Sequence, residues 1–325
     1  MKLCLKVKDL RVYYHTSQGP VRAVDGVSFS LAAGERFGLI GESGSGKSTV
    51  ALSLMRLIRP PGRIESGQAW LDGIDIMALS GEQLRQLRLA RIALVGQGAM
   101  NSLNPVMRIG PQIADGLRSH GVYLSKREEE RRIAQLLEQV GLQQEVATMF
   151  PHELSGGMKQ RVCIAIAISL HPQVIIADEP TSALDVVVQR QVMETLRRVQ
   201  EELAASVILI GHDMGLMAQF TDRVGIMYAG RLVEIGPVDG IFAAPLHPYT
   251  RLLIASLPSL ERKKEFQGIP GFAPSLLQLP SGCSFHPRCP YMMEKCEVER
   301  PDLEQVEAYR WVACHLVETG REAKA

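Results

Sequence analysis

A chain of 325 residues with 46% hydrophobic side chains is long and apolar enough to bury a sizeable core, as two domains or one large domain with an appendix. Its 36 basic and 35 acidic residues leave a formal net charge of +1, which argues against bulk attraction to nucleic acid or lipid. No apolar run approaches the ~18 residues of a membrane helix, and the stretch after Met1 is too short in apolar residues for a signal peptide, so a cytosolic location is expected.

The chain opens with alternating Leu3, Leu5, Val7, then Leu10, Val12 and Tyr14, the pattern of an edge strand. Val27, Phe29 and Leu31 continue the β pattern on one face. Ala33-Gly34 turns into a short apolar stretch, Arg36 to Ile40, expected as a buried strand. Gly41-Glu42-Ser43-Gly44-Ser45-Gly46-Lys47-Ser48-Thr49 then fits the phosphate-loop pattern G-x-x-x-x-G-K-[ST] in full, and Val50 to Ile58 reads as the helix that should follow it. Three glycines let backbone amides turn inward as an anion nest at a positive helix terminus. Lys47 can reach the β- and γ-phosphates, and the Ser48 hydroxyl can ligate Mg²⁺. The bland alternative is a glycine-rich turn, which the strand and helix flanks disfavour. Tyr13 and Tyr14 offer a ring to an adenine or simply pack at a sheet edge.

Gln68 to Leu71 reads as a strand, and Ile92 to Val95 as a buried one ending at Gly96-Gln97. Met100 to Pro105 has turn chemistry. From there to about residue 165 the signals are helical. Ser125 and Glu128 form a capping box, Ile133, Leu136, Leu137 and Val140 follow at helical spacing, and Gly141 stops the helix. The charges from Lys126 to Arg132 are the solvated face of that helix.

Leu154-Ser155-Gly156-Gly157-Met158-Lys159-Gln160-Arg161 precedes an apolar run, with Ser155 as N-cap: a second helix start suited to an anion. Val174 to Ala177 is a buried parallel strand with Asp178-Glu179 at its carboxyl end, the edge where open α/β sheets bind ligands. Ser182 to Asp185 leads into a helix. Ser206 to Ile210 delivers Gly211-His212-Asp213 as another strand end, and a hairpin is expected around Ala229-Gly230. Proline density then rises from Pro237 to Pro280, marking an irregular appendix.

Together these residues resemble one family over roughly residues 3 to 260, the ATP-binding subunits of ABC transporters. Gly41 to Thr49 is similar to its Walker A loop, Gln97 to its Q-loop glutamine, Leu154 to Gln160 to its signature, and Val174 to Asp178 to Walker B. Glu179 falls on the catalytic glutamate, Ser182 to Asp185 on the D-loop and His212 on the switch histidine. The resemblance implies ATP and Mg²⁺ as ligands. Glu179, His212 and Gln97 would be catalytic, with Ser48, Gln97 and Asp178 around Mg²⁺. Nucleotide contacts would come from Tyr14 (with Tyr13 as the alternative), Gly41, Ser43, Gly44, Ser45, Gly46, Lys47, Ser48, Thr49, Gln97, Ser155, Gly156, Gly157, Asp178, Glu179 and His212. In the family the signature closes over a partner's nucleotide, so each chain would hold half of two sites. Two departures, Gly98-Ala99 after Gln97 and Gly211 before His212, are expected to add backbone freedom without losing an essential side chain.

A narrower resemblance is to dipeptide/oligopeptide importers, carried by Asn101 to Pro105, His247 to Thr250 and the tail from Gly268 through Pro290. It implies a second, paralogous ATPase subunit, two transmembrane permeases, an extracytoplasmic substrate-binding protein, no nucleic acid, and a peripheral position on the cytoplasmic face of the cell membrane. Nickel or glycoside importers and soluble ABC ATPases acting on DNA or ribosomes are the alternatives. The expected fold is α/β: a P-loop NTPase (ABC ATPase) core at 1–97 and 166–236 with an antiparallel β subdomain, an inserted helical subdomain at 98–165, and a cysteine-containing extension at 237–325.

Cys4 and Cys163 are scattered, whereas Cys283, Cys289, Cys296 and Cys314 cluster late in the chain. A cytosolic setting disfavours disulfides, and zinc sites usually carry C-x2–4-C pairs, absent here. Four thiolates can also hold an iron–sulfur cluster, and the resemblance implies a 4Fe-4S cluster at these four. Zinc and unligated thiols stay open, with His286 and His315 as substitute ligands or neighbours.

Overall fold

The structure, a computed structural model, describes residues 2–257 and 268–318, so residues 258–267 and 319–325 of the expected extension lie outside it. In chain order the strands are β1 (Leu3–Thr16), β2 (Gly19–Ala32), β3 (Arg36–Ile40), β4 (Gly62–Leu71), β5 (Ile74–Asp75), β6 (Ile92–Val95), β7 (Val174–Asp178), β8 (Ser206–Gly211), β9 (Arg223–Tyr228), β10 (Arg231–Pro237), β11 (Glu304–Glu307) and β12 (Arg310–Val312). The helices are α1 (Lys47–Leu54), α2 (Gly81–Leu87), α3 (Ile109–Arg118), α4 (Lys126–Gln139), α5 (Gly156–Ala167), α6 (Val186–Leu203), α7 (Met214–Phe220), α8 (Val238–Ala243), α9 (Pro248–Ala255), α10 (Glu294–Val298) and α11 (His315–Glu318). The described residues fall into two compact units, one of 2–5, 31–36 and 71–209, the other of 6–30, 37–70, 210–257 and 268–318.

In the first unit β6 and β7 run parallel, with Ile92 opposite Val174 and Val95 opposite Ala177. Their near-continuous apolar sequences suit strands covered on both faces. Helix α5 packs on β6, and α3, α4 and α6 each pack on α5. In α4, Ile133, Leu136 and Leu137 are buried on one face. Its start is held as the capping box predicts: Glu128 accepts from the Ser125 amide at 2.9 Å and from its hydroxyl at 2.6 Å. Helix α3 falls within the stretch expected to be helical, although it contains Gly110 and Pro111. Both lie in its first turn, where proline is tolerated because those amides have no intrahelical acceptor.

In the second unit β1 lies between β2 and β4. β3 and β9 run parallel, with Phe37 opposite Arg223 and Ile40 opposite Ile226. β9 and β10 form the expected hairpin, and its two-residue turn, Ala229 (φ 48°) and Gly230 (φ 81°), has the positive φ at both positions that matches strand twist. Helix α1 starts at Lys47 and ends at Leu54, earlier at both ends than the sequence pattern suggests. Arg56 turns left-handed at φ 48° and terminates it before Leu57 and Ile58.

The extension is less irregular than its prolines imply. β12 adds to β10, with Glu234 opposite Val312 and Ile235 opposite Trp311, and β11 pairs with β12. An ion pair fixes the junction: Arg310 reaches Glu234 at 3.1 Å, and their side chains are 8% and 0% exposed. Glu234 also accepts the amides of Leu246 and His247, so the start of α9 is tied to the same carboxylate.

Candidate functional site

The phosphate-loop residues link β3 to α1, as the motif requires. Gly46 caps α1 at φ 102°, and a Cβ there would stand 2.0 Å from the Ala23 oxygen. A Cβ on Gly41 would stand 2.2 Å from the Met227 oxygen, so neither position admits a side chain. Lys47, itself buried, lies back along the loop: its Nζ donates to the oxygens of Gly41 at 2.8 Å and Glu42 at 2.9 Å, and to Ser45 Oγ at 3.4 Å. The turn between β9 and β10 braces the loop, with the Gly230 amide donating to the Ser45 oxygen at 3.0 Å. The result is a preformed cradle with one cation stored inside it.

Tyr13 and Tyr14 are distinguished by their surroundings. The Tyr13 hydroxyl donates to the buried Asp25 at 2.8 Å, which commits it to an ion-pair network with Arg11 (2.8 Å) and Arg231 (2.6 Å). Tyr14 is half-buried and lies against Gly62, where a Cβ would come within 2.7 Å of its ring. His212 is exposed immediately beyond β8, and Asp213 beside it caps α7 by accepting from the Leu216 amide.

The other residues of the candidate nucleotide site sit in the first unit. Register brings two of them together. Val95 faces Ala177, so Gln97 and Glu179, each two residues further on, meet: Gln97 Nε2 donates to Glu179 Oε2 at 3.0 Å. Asp178 ends β7 nearly buried. Glu179 has φ 47°, a left-handed conformation that is uncommon for a non-glycine residue and concentrates at functional sites. Of the two sequence departures, Gly98 does use its freedom (φ 67°), capping the short helical turn at Ala99–Asn101. Gly211 is not left-handed. A Cβ there would meet only the flexible end of Met217, at 2.9 Å, so the added freedom expected at that position is not used.

Ser155 caps α5 by accepting from the Met158 amide at 3.3 Å. The glycines after it have a second reason to be glycine. A Cβ on Gly157 would stand 2.4 Å from Val188 Cγ1 of α6, and one on Gly156 3.0 Å from Leu184. Local sequence shows only open amides at these glycines; the helix contact arises from packing of α5 on α6.

In the extension, Cys283, Cys289, Cys296 and Cys314 line one cavity together with Phe285, His286 and His315. All four are free thiols. Among the described residues no group of three or more His, Cys, Asp or Glu side chains is placed to hold a single metal ion. Burial pushes Cys289 up to about 11 and Cys314 up to about 12, while the backbone amides of Tyr291 and Leu316 pull the other way. The Phe285 and His286 amides act likewise on Cys283, whose pKa burial also raises. His286 Nδ1 lies 2.9 Å from the Cys283 oxygen and His315 Nε2 3.0 Å from the Glu299 oxygen, so each ring is already tied to backbone. No helix among the described residues is long and apolar enough to cross a membrane.

A glycine loop that stores a lysine between a parallel strand and a helix, with an acidic pair at the end of a second buried strand, defines a P-loop nucleotide-binding protein. The ABC transporter family profile matches residues 24–182, and the oligopeptide/dipeptide transporter C-terminal region matches residues 233–296. A dipeptide transport ATP-binding protein of Caldanaerobacter subterraneus is 42% identical over 326 residues, covering 100% of both chains. An oligopeptide transport ATP-binding protein of Bacillus subtilis is 41% identical over 322 residues, 98% of each chain. A dimeric ATP-binding cassette solved in a post-hydrolysis state with ADP and phosphate superposes at a TM-score of 0.65 with 27% identity, over 72% of this chain and 98% of that one. The chain belongs to the ABC transporter ATPases, in the group of dipeptide and oligopeptide transport ATP-binding proteins.

Proposed function

We propose that this chain hydrolyses ATP to power peptide uptake, and that it acts from the cytoplasmic face of the membrane through a permease pair supplied with peptide by an extracytoplasmic binding protein. The observation that carries the hydrolytic reading is the Gln97–Glu179 contact at the strand ends. Glu179 is assigned to activating the attacking water, and Gln97 to sensing the state of that carboxylate. Lys47 and the loop amides are assigned to the β- and γ-phosphates, His212 to the γ-phosphate, and Tyr14 to the adenine, Tyr13 being already bound to Asp25. Mg²⁺ is assigned to Ser48, Asp178 and Gln97, where it would neutralise charge developing on the phosphates. Ser155, Gly156 and Gly157 are assigned to the nucleotide of a second ATPase subunit, by likeness to the dimeric cassette. In this reading residues 98–165 form the helical subdomain that faces the permeases.

Peptide as the substrate is supported by the match at residues 233–296 and by the names of the full-length relatives. The test is uptake of a labelled dipeptide by cells carrying the complete transporter with wild-type or Glu179→Gln chain. Uptake that persists with the variant, or a complex that imports nickel or glycoside instead, would overturn it. Co-purification with ribosomes or DNA in place of permeases would favour a soluble role.

The four late cysteines support a 4Fe-4S cluster as the resident group of the extension. They surround one cavity without closing on a single metal ion, as suits ligands spaced around a cluster. When bound, the cluster would supply a one-electron redox centre or a structural clamp. Brown protein with iron and sulfide after anaerobic purification is expected; colourless protein with stoichiometric zinc would reject it.

A further inference from the structure

The short turn between Cys283 and Cys289 carries one side chain into the phosphate loop. Arg288 is 6% exposed and forms a bidentate pair with Glu42: Nη1 donates to Oε2 at 2.8 Å and Nη2 to Oε1 at 3.0 Å. Two further donors are also used: Nε donates to the Pro270 oxygen at 2.7 Å, and Nη1 to the Tyr228 hydroxyl at 3.2 Å. The turn itself is closed by the Arg288 amide on the Phe285 oxygen and the Cys289 amide on the His286 oxygen. Behind it Tyr228, Tyr249 and Phe285 pack ring on ring, with centroids 4.6 to 5.4 Å apart.

Glu42 is the second residue of the loop, and three groups hold it. Arg288 holds its carboxylate, the Tyr249 hydroxyl accepts its amide at 2.9 Å, and its own carbonyl accepts Lys47 Nζ at 2.9 Å. A carboxylate in a loop built for polyphosphate opposes the ligand unless its charge is matched. A fork-to-fork guanidinium matches that charge and fixes the geometry together.

We propose that Arg288 is a positioning residue for the nucleotide: by pairing with Glu42 it holds the phosphate loop in its anion-receiving shape and cancels the one carboxylate inside it. The proposal rests on reading Gly41–Thr49 as the nucleotide loop, and it makes the cysteine-bearing extension a structural support of that loop.

The test uses the full-length chain, a fluorescent ATP analogue with Mg²⁺, and steady-state turnover. Arg288→Met is expected to raise the analogue's Kd about tenfold with kcat at saturation changed less than about threefold, the pattern of lost binding without lost chemistry. Arg288→Lys, which keeps charge and loses the fork, should weaken binding about threefold and serves if the methionine variant does not fold. Adding Glu42→Gln to Arg288→Met should recover most of the affinity, because no orphaned carboxylate remains; a residue that only stabilises the fold gives no such recovery. Lys47→Ala checks the underlying reading, since unchanged binding there would remove the nucleotide loop itself. Folded Arg288 variants with wild-type affinity, or a double variant no better than Arg288→Met, would overturn the proposal.

Discussion

Gln97 donates to Glu179 at 3.0 Å because β6 and β7 are parallel and in register, so equal steps past Val95 and Ala177 bring the two side chains together. Replacing Glu179 with Gln should preserve nucleotide binding and slow hydrolysis at least about 100-fold, the lower end for loss of a positioned base. Single-turnover ATPase measurements check this, and near-normal turnover would remove Glu179 from the role.

Asp25 shows how a buried carboxylate is kept ionised. Burial alone would raise its pKa, but hydrogen bonds from Arg231 and Tyr13, with Arg11 nearby, hold it below its ordinary 3.8. Arg11 and Arg231 are 34% and 26% exposed, so water screens part of the pairing, and Asp25→Asn is expected to cost about 2 kcal/mol. The sign with pH follows from the depressed pKa. The contribution is fully present above 3.8 and disappears as pH falls through the folded value. Wild type should therefore lose more stability than the Asn variant on acidification below about pH 4, read as midpoints of urea unfolding.

Gly157 is squeezed against α6. Gly157→Ala places a carbon 2.4 Å from Val188 Cγ1 and is expected to cost about 1–3 kcal/mol by overpacking. Val188→Ala on top of it should restore both thermal stability and turnover, since the amide at residue 157 is unchanged. Stability restored with turnover still lost would show that the glycine serves something besides packing.

The junction between β10 and β12 depends on one guanidinium. Arg310→Leu leaves Glu234 buried with only the amides of Leu246 and His247, at an expected cost of about 3 kcal/mol. Arg310→Lys should rescue little, because the guanidinium also donates to the Ala244 oxygen, a second acceptor that a single ammonium does not serve as well. Thermal melts of the three chains decide the point.

Local chemistry was legible in the sequence wherever a few adjacent residues set the conformation. The Gly41–Thr49 loop, the Ser125–Glu128 cap, the buried runs of β6 and β7 and the Ala229-Gly230 turn all form where the residues imply them, because each is fixed by short-range sterics or by periodicity. Helix ends were less legible: α1 stops at Leu54 though its apolar residues continue. What tertiary structure alone decided is which distant side chains share a site. Register joins Gln97 to Glu179, helix packing gives Gly157 its necessity, and folding back of the extension sets Arg288 on Glu42, 246 residues away in sequence. No local pattern encodes those contacts, because they arise from burying surfaces contributed by separate elements, and the sequence specifies that only through the packing of the whole.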